Sequence, residues 1–222
     1  MESVIIADNL IKIYHSSTNN VKALDKVSLE ISSGEFLMIT GRNGSGKSTL
    51  LHQLALLDEY DSGEIIINNQ KTSHLSERKR MDLRLRGLGY IFQEYALIGE
   101  LSALENVMLP AMMLESSKEA KAKAFEILEK VDLREKCFRL PSELSGGEQQ
   151  RVAIARSLIN SPKIIFADEP TANLDSTSSK KVLEIFKSLN KKDDITIVMV
   201  THEPEELAYA SRHIQLADGR IV

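Results

Sequence analysis

The stretch Gly41-Arg42-Asn43-Gly44-Ser45-Gly46-Lys47-Ser48-Thr49 constrains this chain more than any other. It fits the pattern G-x-x-x-x-G-K-[ST], and it lies between an apolar run, Phe36–Thr40, and a segment of helical character, Lys47–Leu57. Strand, glycine turn, helix is the context the pattern requires. The glycines let backbone N–H groups curl around a phosphate where side chains would obstruct it. The helix start adds partial positive charge. Lys47 is then expected to reach the β- and γ-phosphate oxygens of a nucleotide, and the Ser48 hydroxyl to coordinate Mg²⁺.

The other apolar runs are short and bounded by turn residues: Gly89–Phe92, Ile164–Ala167 and Ile195–Val200. Continuous runs of this length predict strands buried on both faces, hence a parallel sheet covered by helices. Val27, Leu29 and Ile31 alternate with polar residues, and Ile65-Ile66-Ile67 follows Ser62-Gly63, which predicts half-exposed antiparallel strands. From about Ser102 to Ile159 the pattern is helical: Ser116 with Glu119 predicts a capped helix to about Val131, and Pro141 breaks the next stretch. Asp175 or Ser176 is expected to cap a helix through about Lys191, and a short helix is expected near Glu205. The expectation is a single α/β domain over 1–222, with core and β layer at about 1–93 and 161–222 and a helical insertion at about 94–160.

A second phrase, Leu144-Ser145-Gly146-Gly147-Glu148-Gln149-Gln150-Arg151, opens another helix. Ser145 with Glu148 is a capping box, which accounts for those two residues. It leaves Gly146 and Gly147 unexplained, since glycine in a first turn costs up to about 1 kcal/mol relative to alanine. Close approach of a phosphate to bare N–H groups does explain them. One nucleotide needs one cradle, so a second anion site predicts that two copies of the chain share each nucleotide. Asp168 and Glu169 end the Ile164–Ala167 strand, where open α/β sheets bind ligands. Asp168 is expected to hold Mg²⁺ and Glu169 to polarise an attacking water. Gln93 and His202 follow the Gly89–Phe92 and Ile195–Val200 strands, so they are expected near the γ-phosphate; Tyr14 ends the first strand.

Composition removes several classes of function. The chain of 222 residues is 42% hydrophobic and 27% charged, with a net charge of −4 and no basic block, so no nucleic-acid partner is expected. The single cysteine, Cys137, fits a reducing compartment and a small buried hydrophobe. No apolar run approaches the ~18 residues of a membrane span, and Met1-Glu2-Ser3 opens no signal peptide. A soluble, cytoplasmic chain is expected.

These phrases, in this order and over nearly the whole chain, resemble the nucleotide-binding subunit of ABC transporters. The fold the resemblance implies is α/β: a P-loop NTPase (RecA-like) core with an antiparallel β subdomain and an inserted helical subdomain. It implies ATP and Mg²⁺ as cofactors and ATP hydrolysis as the activity. By resemblance Tyr14 stacks on adenine, and Gly41, Arg42, Asn43, Gly44, Ser45, Gly46, Lys47, Ser48 and Thr49 form the Walker A loop. Gln93 is the Q-loop glutamine, counted with Lys47, Glu169 and His202 among the catalytic residues; Ser145, Gly146, Gly147 and Glu148 belong to the signature sequence; Asp168 and Glu169 are the Walker B aspartate and catalytic glutamate; Asp175 closes the D-loop; His202 is the switch histidine. The metal contacts implied are Ser48, Gln93 and Asp168. A finer resemblance, in Phe92–Ile98, Leu104-Glu105-Asn106-Val107, Pro110 and Glu169–Asp175, is to the lipoprotein-releasing, macrolide-exporter and cell-division branch. Ala172 stands where that branch often has glycine, and Arg42-Asn43 replaces the commoner Pro-Ser. With Val222 following the Asp218-Gly219 turn, the chain is expected to lack the C-terminal regulatory domain that some importers carry.

The resemblance implies a head-to-tail pair with a second copy and work passed to an integral membrane permease, from the cytoplasmic face of the inner membrane. The permease is expected to be contacted through the Gln93–Met113 region, where Tyr95, Leu97, Ile98, Leu101, Met108, Met112 and Met113 supply apolar, adaptable side chains. The task implied is lipoprotein release or export of a hydrophobic or peptide substrate. Two alternatives stay open: a cell-division ATPase that signals through a membrane partner without cargo, and a soluble ABC ATPase acting on DNA or on a complex. The latter is disfavoured by the acidic balance and by a gap of ~100 residues between the two phrases with no heptads.

Overall fold

The computed structural model describes residues 2–15 and 20–222. In chain order the elements are β1 (Ser3–His15), β2 (Asn20–Ser32), β3 (Phe36–Thr40), α1 (Lys47–Leu54), β4 (Ser62–Ile67), β5 (Gln70–Lys71), α2 (Glu77–Gly87) and β6 (Leu88–Ile91). There follow α3 (Ala103–Met108), α4 (Ser117–Lys130), α5 (Gly146–Leu158), β7 (Ile164–Asp168), α6 (Ser176–Asp193), β8 (Thr196–Val200), β9 (Arg212–Ala217) and β10 (Arg220–Ile221). Short 3₁₀ turns join several of them, among them Pro141–Glu143 and Pro204–Tyr209.

Two sheets form. One is antiparallel, in the order β2-β1-β4-β5; the other runs β10-β9-β3-β8-β7-β6, with every pair parallel except β10 on β9. The runs at Phe36–Thr40, Ile164–Ala167 and Ile195–Val200 lie at the centre of the parallel sheet and feed two cores from alternate residues, whereas Gly89–Phe92, expected to be buried on both faces, supplies the edge strand β6 and is only half-buried. Phe36, Met38, Ile165, Ala167, Ile197 and Met199 face the helices α3 to α6. Leu37, Ile39, Ile164, Phe166, Val198 and Val200 face α1 and the antiparallel sheet. Nearly all of these side chains are fully buried, at about 1.5–3 kcal/mol each for the larger ones, so the register of β3, β7 and β8 is set from both sides. That register brings Asp168 opposite Val200 and Ile39 opposite Val200, which gathers the carboxyl ends of the three strands.

Sequence boundaries held to within a few residues where caps exist. Ser116 and Glu119 form the reciprocal capping box, and Asp175 accepts from Thr177 N and Ser178 N at the start of α6. Helix α1 stops at Leu54 rather than Leu57, because Leu56 turns left-handed at φ 58°. Helix α2 was not anticipated: ERKRMDLRLRG has no buried residue and so no apolar stripe to read. Strands β9 and β10 were likewise not anticipated. Within the expected permease region, Met108 is only 7% exposed and packs in the core, with Tyr95 and Leu97 partly buried against it. Ile98, Met112 and Met113 stay exposed.

The turn ahead of α3 hangs on one fully buried amide. Asn106 Oδ1 accepts from Ile98 N (2.8 Å), and Nδ2 donates to Ile98 O (3.0 Å) and Leu101 O (2.9 Å). Asn106→Ala leaves these backbone groups without their partner and is expected to cost about 2–4 kcal/mol, read as a lower urea midpoint.

Candidate functional site

The loop between β3 and α1 curls as its glycines permit. Gly44 and Gly46 have φ 78° and 101°, and a Cβ on Gly46 would lie 2.3 Å from Ala23 O. Gly41 is pressed against Leu216 O and Ser45 Oγ in the same way. Lys47 is buried, and its Nζ donates to Gly41 O (3.0 Å) and Arg42 O (3.2 Å), so its charge lies over the loop. Ser45 Oγ is buried without a partner. A ring of backbone N–H groups with a lysine and an unmatched hydroxyl fits a polyphosphate. Arg42, Asn43 and Gly44 are exposed at the tip, and Thr49 follows in the first turn of α1.

At the end of β7, Asp168 Oδ1 accepts from Ser48 Oγ at 3.0 Å, with His52 Nε2 3.8 Å from Oδ2. Burial pushes the Asp168 carboxyl above its ordinary pKa, and the Glu169 charge adds to this; Ser48, His52 and Lys47 work the other way. Among the described residues no three His, Cys, Asp or Glu side chains converge on a metal position. One carboxylate and one hydroxyl suit a hard cation that takes its other oxygens from phosphate and water. Glu169 sits at φ 42°, held by its N–H on Val200 O, and its Oε2 lies 3.1 Å from His202 Nδ1. Glu203 Oε1 approaches the other ring nitrogen at 3.2 Å. Gly41, Arg42, Asn43, Gln93, Glu169 and His202 line one open cleft of 830 Å³.

The Gln93 loop is held from two elements. Asn173 Nδ2 donates to Gln93 O (3.4 Å). Arg156, on α5, donates to Ala96 O (2.6 Å) and Tyr95 O (2.9 Å), and both of those residues are left-handed, at φ 51° and 59°. Tyr14 is half exposed, with its hydroxyl donating to Asp58 Oδ2 at 3.0 Å and Lys12 Nζ 5.1 Å from the ring centre.

The second phrase does not line this cleft, although Gly146 sits beside Asn173, which does. Ser145 Oγ accepts from Glu148 N, and the Glu148 carboxylate accepts from Ser145 N, closing the capping box at the start of α5. Lys136 above all, then Ser145, holds the Glu148 carboxyl below its ordinary pKa. The glycines have an intramolecular reason that the sequence did not reveal. A Cβ on Gly147 would lie 2.7 Å from Ser178 Oγ, and one on Gly146 3.0 Å from the Tyr95 hydroxyl. Sequence reasoning also missed Arg156, Asn173, Asp58 and a buried carboxylate, Glu206. Glu206 stands in the acidic run Glu203-Pro204-Glu205-Glu206, where nothing local distinguishes the one that turns inward.

A phosphate-binding loop on a parallel sheet, with a serine–aspartate pair and a glutamate–histidine pair at its edge, defines a nucleotide triphosphatase. The chain belongs to the ABC transporter family, whose description matches residues 24–172. It is 51% identical over 220 residues to an uncharacterized ABC transporter ATP-binding protein of Methanocaldococcus jannaschii, covering 99% of this chain and 98% of that one. It is 43% identical to the lipoprotein-releasing system ATP-binding protein LolD of Aquifex aeolicus, covering 100% and 97%. Among solved structures, a dimeric ATP-binding cassette in a post-hydrolysis state, bound to ADP and Pi, superposes with a TM-score of 0.91 at 40% identity, covering 98% and 96%. The protein is therefore the ATP-binding, ATP-hydrolysing subunit type of that family, similar over its whole length to lipoprotein-releasing ATP-binding proteins.

Arg156→Lys keeps the charge and loses the two-pronged grip on the Tyr95 and Ala96 carbonyls. Turnover is expected to fall about 10-fold or more through displacement of the Gln93 loop, with ATP affinity held within about 2-fold. Steady-state ATPase assays alongside nucleotide titration check this.

Proposed function

We propose that the chain works as a head-to-tail pair with a second copy, and that the pair drives a membrane permease in lipoprotein release or in export of a hydrophobic or peptide substrate. One observation carries the pairing. The cleft gathers the β3–α1 loop, Gln93, Glu169 and His202, while Ser145–Glu148, read from sequence as a phosphate site, lie outside it. A nucleotide on this loop meets Ser145 and Gly147 only if another chain supplies them. Two-fold symmetry then makes two equal sites. That the solved cassette named above is dimeric supports a pair of copies.

In this reading Lys47 and the loop N–H groups bind the β- and γ-phosphates, and Tyr14, steadied by Asp58, stacks on adenine. Ser48 and Asp168, with Gln93, would hold Mg²⁺, which when bound neutralises charge on the phosphate oxygens. Glu169 orients a water and takes its proton as the water oxygen attacks the γ-phosphorus. The bond to the bridging oxygen breaks, leaving ADP and phosphate. His202 fixes the Glu169 carboxylate and reaches the γ-phosphate oxygens. Asp175, as the cap of α6, supports the loop after Glu169.

Leu57, Met81, Phe92 and Met113 line a groove of 390 Å³ on the outer side of the Gln93 loop. Each is at least 38% exposed. This apolar trough, widened by α2, suits a short amphipathic helix of a permease. In the described residues no helix is long and apolar enough to cross a membrane, so the work must pass through such a contact.

Glu169→Gln is expected to retain ATP binding, lose at least ~10²-fold in turnover, and form a stable dimer with Mg-ATP on size exclusion. A strictly monomeric Glu169→Gln protein under saturating Mg-ATP contradicts the pairing. Met81→Glu with Met113→Glu is expected to leave the ATPase rate of the isolated protein within about 2-fold and to abolish co-purification with the permease.

A further inference from the structure

A buried carboxylate ties the two loops that carry Glu169 and His202. Glu206 lies in the turn Pro204–Tyr209 and is 5% exposed. Its Oε1 accepts from Thr171 Oγ1 at 2.6 Å and its Oε2 from Thr201 Oγ1 at 2.6 Å. Both threonines are buried. Thr171 stands two positions after Glu169, and Thr201 immediately precedes His202. Each oxygen of one carboxylate therefore holds one loop, and across those loops Glu169 Oε2 meets His202 Nδ1 at 3.1 Å.

The energetics argue against a filler role. Burying a carboxylate is costly, and an apolar side chain would occupy the position more cheaply. No ion pair among the described residues involves Glu206. What offsets the burial is the pair of short, charge-assisted bonds, one to each loop. Glu169 needs such support: its backbone is left-handed at φ 42°, a conformation that persists only where the surroundings over-determine it. The backbone gives it two bonds, Glu169 N to Val200 O at the end of β8 (3.1 Å) and, within its own loop, Ala172 N to Glu169 O (3.2 Å). Thr201 Oγ1 also accepts from Glu203 N at 3.0 Å, so the same hydroxyl fixes both sides of His202.

We propose that Glu206 is a positioning residue: it clasps Thr171 to Thr201, sets the separation of Glu169 and His202, and thereby governs turnover rather than nucleotide affinity. This rests on the reading that Glu169 and His202 act on the γ-phosphate.

The test compares Glu206→Leu with a triple variant, Glu206→Leu, Thr171→Val and Thr201→Val, in the full-length protein. The single variant strands two buried hydroxyls and is expected to melt lower, with turnover down about 10-fold or more and KM for ATP within about 2-fold. The triple variant removes the stranded hydroxyls, so its melting temperature is expected to recover in large part, short of the Glu203 N–H bond that Thr201 supplied, while its turnover stays low. Added to His202→Ala, Glu206→Leu is expected to cost little more than His202→Ala alone, since both act on one pair. Wild-type turnover in Glu206→Leu overturns the proposal. So does recovery of turnover together with stability in the triple variant, which would make the clasp mere packing. Full additivity with His202→Ala overturns it as well. If His202→Ala and Glu169→Gln themselves keep wild-type turnover, the reading of the site fails first, and that failure is visible before any Glu206 variant is made.

Discussion

Everything at the site depends on three parallel strands buried on both faces. β3, β7 and β8 place alternate residues in two separate cores, so none can slide by one position without moving apolar side chains into the wrong packing environment. Their carboxyl ends are thereby fixed against one another. From those ends come the glycine loop, the Asp168–Glu169 pair and the Thr201–His202 pair. The chemistry needs carboxylate, hydroxyl and imidazole within a few ångströms, and the sheet supplies that spacing before any local contact forms.

Much of this was legible in the sequence because the pertinent signals are short-range. A strand buried on both faces reads as an unbroken apolar run, and the glycine loop reads as a pattern with one structural context. Reciprocal caps at Ser116 and Ser145 and the aspartate cap at Asp175 are equally local, and each appears at the residue expected. What escaped depends on contacts between distant parts of the chain. Helix α2 gave no periodic signal because it buries no residue fully and sets only Leu83 against the core. Glu206 and Arg156 look like ordinary surface charges until Thr171, Thr201 and the 95–96 carbonyls come to meet them. Met108 belonged to an apolar cluster whose division between core and surface follows from helix orientation, which periodicity over a few residues does not fix.

Around the sheet edge the loops are held by polar contacts from outside. The loop after β6 is gripped by α5 through Arg156 and by Asn173 from the loop after β7. The loops after β7 and β8 are joined by Glu206. Left-handed backbone at Tyr95, Ala96 and Glu169 occurs at these held points. Strain there is tolerated because several bonds converge on each loop, and it is placed where small displacements have the largest effect on rate.

The packing of Gly147 on Ser178 carries a consequence for genetics. Any side chain introduced at 147 collides with Ser178 on its own subunit's α6, whatever else it would approach. Loss of activity on substituting this glycine is therefore ambiguous in origin, arising within one polypeptide as readily as between two. A compensating cut at 178 that revives such a variant would trace the injury to the internal collision.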